Sequence, residues 1–242
     1  MEVQMKGVIM ATMAMMSVIM FGVMVQGKPN DYVYGLCNTQ NYEPNSSFAL
    51  NVNTAIGTLV GKSKQSLSGY DNVVPKKEPN SSFVYSMYQC RGDASLAQCS
   101  SCVAQIVGTP PCGLAIGTRI QYKACYLRYE NAPFSTTQDF TLITLNCSTP
   151  SNITLSSSYQ SDLKSALRLA AGAAPRSHLL FNSSRVGSAY AITQCLPYLS
   201  PSACRKCLSQ VSDHSSFCPK STSGYVYFVT CFYLFGNMPL SL

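Results

Sequence analysis

Charge is scarce in this chain. Lys, Arg, Asp and Glu make up 11% of its 242 residues, against about a quarter in an ordinary soluble domain, and Ser, Thr, Asn and Tyr fill the gap. Seventeen basic against ten acidic residues leave a net charge of +7. The excess is spread out: residues 28–138 hold nine Lys/Arg and six Asp/Glu, and residues from Asp139 onward hold seven and three. The only adjacent basic pairs are Lys76-Lys77 and Arg205-Lys206. A mild, dispersed positive charge suits acidic polysaccharide or an anionic surface better than nucleic acid, which is not expected as a partner. Histidine is almost missing, with His178 and His214 alone. Both fall in expected loops of the second half, and His214, just before Cys218, reads as solvated. Asp213 beside His214 is what composition supplies by itself. There is no nucleophile elbow, paired-carboxylate pattern, phosphate loop, dinucleotide fingerprint or metal motif. An enzyme is not expected, nor a cofactor.

Cysteine is what the chain has in quantity, and none of its 12 is left over. Cys90, Cys99 and Cys102 are spaced as Cys, eight residues, Cys, two residues, Cys, and Cys195, Cys204 and Cys207 repeat that spacing. One cysteine lies upstream of each trio (Cys37, Cys147) and two lie downstream (Cys112 and Cys125, Cys218 and Cys231). The residues between share almost nothing, so the repeat is one of spacing. Two cysteine-framed domains of about a hundred residues each follow: residues 28–130 and 139–242, with 131–138 as a short linker containing Pro133. A linker this short predicts domains that pack together.

The N-terminus bears on the redox compartment. One basic residue in 1–6 precedes an uncharged, Met-rich apolar run over 7–25 and a Val25-Gln26-Gly27 step. These are the parts of a secretory signal peptide, cleaved near Gly27; the run also approaches the length of an uncleaved anchor helix. Polar sequence from Lys28 onward favours cleavage. No later stretch has spanning length, since the most apolar, 225–235, is too short and holds a framework cysteine. Sequons at Asn45, Asn80, Asn146, Asn152 and Asn182 are compatible with a secreted glycoprotein, although Asn146 precedes Cys147.

Along the chain, residues 32–37 read as a strand. Ser46-Ser47 then caps a helical pattern through Phe48, Val52, Ile56 and Leu59. Residues 69–73 look turn-like, 83–89 strand-like, and 95–107 helical up to Gly108. Residues 116–130 alternate as one long strand or a strand pair. The second half repeats the order, with a strand at 140–145, a helix at 158–171, a strand at 190–194, a helix opened by Ser200-Pro201 in an N-cap and N1 arrangement, and a closing strand at 225–235. Each half is α+β.

A C-x-x-C pair on a helix is a redox couple, half of a zinc site, or two ends of structural disulfides. An oxidising route and the third cysteine nine positions earlier favour disulfides. Six cysteines per domain allow 15 pairings, and spacing does not choose among them.

The C-x8-C-x2-C core, Cys37-Asn38-Thr39-Gln40, and Gly117-Thr118-Arg119 with Cys125 and Arg128-Tyr129-Glu130 together resemble the ginkbilobin-like, stress-antifungal domain family of plants. That module occurs in pairs in cysteine-rich repeat secretory proteins, and the likeness covers essentially the whole mature chain. It implies two helices against an antiparallel sheet of about five strands in each domain. It also implies the bridges Cys37–Cys112, Cys90–Cys99, Cys102–Cys125, Cys147–Cys218, Cys195–Cys204 and Cys207–Cys231.

Single-domain members are mannose lectins, and the resemblance carries their sugar contacts onto Asn38, Arg119 and Glu130. The chemistry suits a sugar, because a carboxylate accepts from neighbouring hydroxyls, a guanidinium offers a rigid fork of donors, and an amide does both. The plainer reading of the residue types is an Arg119–Glu130 salt bridge with Asn38 shaping a turn. Eleven residues separate Arg119 from Glu130, so an unbroken strand would put them on opposite faces, and a bulge or bend near Cys125 is needed. The second domain has Ser148, Tyr225 and Gly236 at the matching positions, and no comparable site is expected there.

The resemblance thus implies a secreted, apoplastic defence lectin that binds mannose- or mannan-type cell-wall glycans through its first domain and acts against fungi. The alternative is an extracellular protein-interaction module without sugar binding. Cationic membrane disruption is a third reading, and the sequence lacks the amphipathic basic helix it would require.

Overall fold

The structure is a computed structural model that describes residues 31–75, 82–108, 112–134, 138–148 and 155–242. The expected signal peptide over 1–27, the sequons at Asn80 and Asn152, and residues 135–137 of the linker lie outside the described residues.

Each half builds the same unit. In the first, β1 (Tyr32–Cys37), α1 (Ser47–Ser63), β2 (Tyr70–Val73), β3 (Tyr85–Cys90), α2 (Leu96–Gly108), β4 (Thr118–Tyr122) and β5 (Cys125–Glu130) give an antiparallel sheet in the order β1-β4-β5-β3-β2. In the second, β6 (Leu142–Ser148), α3 (Ser157–Ala173), β7 (Phe181–Val186), β8 (Ala189–Cys195), α4 (Pro201–Leu208), the short α5 (His214–Phe217), β9 (Ser223–Phe228) and β10 (Cys231–Gly236) give β6-β9-β10-β8-β7. The fold is α+β: two tandem disulfide-rich domains, each with two main helices on a five-stranded antiparallel sheet. The helices begin where short hydroxyl side chains replace the missing intrahelical acceptors. Ser46 accepts from the Ala49 amide, Ser156 from Tyr159, and Ser200, ahead of Pro201, from Ala203.

Three local expectations need correction. Residues 69–73 contain an edge strand, β2, paired to β3 from Tyr70↔Gln89 to Val73↔Ser86. Its Asp71 and Asn72 suit an exposed edge, so propensity hides it. β7 is hidden from the sequence pattern for the same reason; it joins β8 through a tight turn at Gly187, whose φ of 52° favours glycine. Residues 225–235 form not one strand but the hairpin β9–β10, turning at Val229-Thr230. No Gly, Asn or Pro marks that turn; it is held from outside, where the Val229 amide donates to the Thr141 carbonyl and the Thr230 hydroxyl to the Asp139 carbonyl at 2.7 Å. Residues 116–130 are likewise a strand pair, β4 and β5, reversing at Lys123-Ala124.

The C-x8-C-x2-C spacing has a geometric reason. Cys99 and Cys102 are three residues apart on α2, hence on one face, and both are buried. Cys99 reaches back to Cys90 at the end of β3, and Cys102 reaches Cys125 at the start of β5. Cys37 and Cys112 close the longer loop. The second domain repeats this with Cys195–Cys204, Cys207–Cys231 and Cys147–Cys218. One pair of bridges thus pins a helix to two adjacent strands, beside apolar clusters built on Leu59, Val103, Ile106 and Leu127 in one domain and Leu167, Leu208, Val226 and Phe235 in the other.

The domains pack through the sheet faces that their helices leave open. Met87, Tyr126 and Phe134 meet Leu196 in a buried cluster, and the Tyr34 and Tyr227 rings stand edge to face at 5.8 Å. The polar contacts are reciprocal: the Gln89 amide donates to the Cys195 carbonyl at 3.0 Å, and the Gln194 amide donates to the Cys90 carbonyl at 3.1 Å. Gly92 leaves no room for a side chain because the Phe181 ring rests on it. β3 and β8 are therefore covered on both faces, which erases the polar-apolar alternation that marks a half-exposed strand.

Candidate functional site

The β4–β5 hairpin resolves the spacing of Arg119 and Glu130. Arg119 pairs across with Arg128, and Glu130 lies two residues further along β5, so all three share the sheet face opposite the helices. The bend near Cys125 is the hairpin turn itself. Asn38 follows β1 directly; its amide donates to the Gly117 carbonyl at 2.9 Å, just before β4. Gly117 in turn has the Glu130 carboxylate packed on its Cα. Any side chain at 117 would displace that carboxylate. The register thus sets Asn38, Gly117 and Glu130 in a row across one end of the sheet, with Arg119 beside them.

Within this cluster the carboxylate already has partners. Glu130 Oε1 accepts from Arg119 Nε at 3.4 Å and from Arg128 at 3.0 and 3.1 Å. The Arg128 side chain is only 5% exposed, against 26% for Arg119 and 16% for Glu130. Its guanidinium stacks 4.3 Å from the Phe134 ring centre and donates to the Tyr198 hydroxyl of the second domain at 3.3 Å. Burial raises the Tyr198 phenol above its ordinary range, as it does that of neighbouring Tyr126, so both stay un-ionised at physiological pH. The Asn38 side-chain oxygen accepts from the Gln40 amide at 2.9 Å, a local turn. Arg119 is the most accessible charged group of the cluster, and Arg128 is its buried strut.

Arg128 is the residue that sequence reasoning missed. Its position two residues before Glu130 on a strand puts the two side chains on one face, and that spacing could have found it. Its coupling to Phe134 and Tyr198 could not be read without the interdomain contact.

The second sheet ends differently. Ser148 bonds Ser223, Tyr225 meets Tyr227 edge to face at 5.4 Å, and Gly236 lies against Leu240. Among the described residues no ionic cluster replaces the one in the first domain. The expectation for His214 is corrected here. It is not a solvated loop residue but opens α5 and packs edge-on to Phe235 at 4.4 Å, with Nδ1 at 3.4 Å from the Tyr233 hydroxyl. Burial lowers its pKa to about 4, so the ring is neutral at pH 7. His178 is exposed. Among the described residues no group of His, Cys, Asp or Glu has the arrangement of a metal site, and no helix is long and apolar enough to cross a membrane.

Known proteins share this architecture. The sequence profile of the salt stress response/antifungal family matches residues 36–132 and again 146–238. Plasmodesmata-located protein 5 of Arabidopsis thaliana is 29% identical over 223 residues, which cover 89% of this chain and 72% of that protein. Cysteine-rich receptor-like protein kinase 25 of the same plant is 28% identical over 242 residues, covering 95% of this chain but 36% of the kinase. Two crystal structures of tandem DUF26 ectodomains from Arabidopsis thaliana superpose on it. That of PDLP8 has a TM-score of 0.75 at 27% identity and covers 86% of this chain and 98% of its own; that of PDLP5 has a TM-score of 0.71 at 29% identity, with 85% and 98% covered. With both copies of the profile accounting for most of its length and with the tandem fold in common, this chain belongs to the salt stress response/antifungal family.

Proposed function

We propose that the chain is an extracellular interaction module whose two docked domains present one rigid surface to a partner. The observation that carries this reading is the interface itself: buried aromatic packing crossed by the reciprocal Gln89 and Gln194 hydrogen bonds. Relatives whose names place them at plasmodesmata or in receptor-like proteins, and whose paired domains are described as ectodomains, support it. Twelve cysteines in six bridges call for an oxidising compartment. The test is to recover a tagged chain from the fluid outside plant cells and map its thiols. All 12 cysteines should be oxidised; a chain found only inside cells with free thiols would overturn the proposal.

A second reading is favoured by one feature, the convergence of Asn38, Arg119 and Glu130 at one end of the first sheet. Under this reading the first domain is a mannose lectin with antifungal activity. Arg119 and the Asn38 amide nitrogen would meet the sugar, while Glu130, held by Arg128, would accept from its hydroxyls. Its test is binding to yeast mannan. Because Arg119 is partly exposed, Arg119→Ala should change stability by less than ~1 kcal/mol yet abolish mannan binding. Equal binding by wild type and variant, or none by either, rejects the lectin and leaves the interaction module standing.

A further inference from the structure

The second domain carries a groove of about 870 Å³ between α3 and the wall formed by α4, the following 3-10 turn Ser209–Asp213, and residues 218–221. It lies where the second helix of this domain stops at Leu208 and passes into that turn, whereas α2 in the first domain runs unbroken to Gly108. The floor is apolar: Leu163 and Leu167 of α3 and Leu208 and Val211 of the facing wall form its buried base, each 7% exposed or less, and the partly buried Leu155 and Ala171 complete it. Both banks are basic. Lys164 and Arg168, four residues apart on α3, flank one side, and Arg205 and Lys220 flank the other. No carboxylate lines the groove, and none of the four cations takes part in an ion pair among the described residues.

We propose that this groove binds a single-chain anionic amphiphile, its acyl chain along the leucine floor and its carboxylate or phosphate head among Lys164, Arg168, Arg205 and Lys220. Charge and shape argue together. The volume lies within the ~300–1,000 Å³ of small-molecule sites, which are mostly apolar with a few placed polar groups. Four unpaired cations around a concave apolar floor complement a negative head on a hydrocarbon tail. They fit a neutral lipid poorly, because it would leave them unanswered. The first domain has no part in this site, so it is independent of any sugar or protein bound elsewhere.

The test uses the full oxidised chain and cis-parinaric acid as a fluorescent probe below its micellar concentration. Saturable binding is expected, with displacement by oleate or by oleoyl lysophosphatidate; whichever displaces better identifies the head group. Methyl oleate, of the same chain without the charge, should not displace the probe. Lys164→Glu with Arg168→Glu should weaken binding about tenfold or more, the effect of reversing two partly exposed charges. Gly172 also lines the groove, and a Cβ there meets no atom within 4 Å. Gly172→Leu should therefore fill the groove and weaken binding without lowering the thermal unfolding temperature. The proposal is overturned by the absence of saturable binding, by methyl oleate competing as well as oleate, or by charge reversal without effect. It is equally overturned if anionic vesicles or an acidic peptide displace the probe and oleate does not, since the groove would then be a membrane or protein contact.

Discussion

The two domains have the same strand order and the same three bridges, yet they differ wherever the bridges do not reach. At the end of the first sheet, Arg119, Arg128 and Glu130 form an ionic cluster; at the end of the second, the matching strands carry Tyr225, Leu234 and Gly236. On the helical side the relation reverses. α2 is continuous and packed on α1, whereas its counterpart breaks after Leu208 and opens a basic-rimmed groove. α2 and α4 are each pinned to two strands by two cystines, and that is enough to hold the fold. The sheet ends and the second half of the second helix are thereby free to take different chemistry.

The largest test of this comparison is to remove matched bridges. By chain entropy, loss of Cys37–Cys112, whose cysteines are 75 positions apart, should cost about 4.5 kcal/mol, and loss of Cys90–Cys99, nine apart, about 2.5 kcal/mol. The paired alanine variants at Cys147/Cys218 and Cys195/Cys204 should give the same order in the second domain, read by hydrogen exchange in each sheet. If the short bridge proves the costlier in either domain, strain or local packing outweighs loop closure there and the two frames are not equivalent.

Next in size is the strut. Arg128→Ala removes a buried guanidinium from Glu130, Phe134 and Tyr198 together, and should destabilise the chain by about 3 kcal/mol in urea unfolding. Leu234→Ala at the matching, half-buried position should cost less, about 1 kcal/mol. Equal effects would mean that the ionic cluster adds nothing to the first domain beyond packing.

The smallest effect is a dependence on pH confined to one half, because both histidines lie in the second domain. His214 stays neutral in the folded protein down to about pH 4, while in the unfolded chain it takes up a proton near pH 6.5. The unfolded state therefore binds more protons between these values, and stability falls as pH drops through that window. The loss should be about 1–2 kcal/mol, since the ring keeps some contact with solvent. It should appear in hydrogen exchange of β8 to β10 and vanish in His214→Gln. A slope that survives this substitution assigns the effect to another group.

Much of this was legible in the sequence because cysteine spacing and helix caps are local signals. The repeat of the Cys90 and Cys195 trios set the two-domain organisation, and Ser46 and Ser200-Pro201 marked helix starts. What escaped depends on partners distant in sequence. β2 and β7 are strands because β3 and β8 offer them an edge, and the β9–β10 turn is held by Asp139 and Thr141. His214 is buried by rings on β10, and Arg128 matters because Tyr198 comes from the other domain. The odd spacing of Arg119 and Glu130 looked like an obstacle and became intelligible once the strand folded back on itself.

The exchange of amides between Gln89 and Gln194 has a thermodynamic consequence. Each half gives and receives the same bond, as in a two-fold dimer whose subunits happen to be joined. A short tether holds such halves at an effective concentration of about a millimolar. An interface worth only about 5.5 kcal/mol between free domains is then enough to keep the chain about ten-to-one closed. Its contacts can be few because the covalent connection has already removed most of the entropy of meeting.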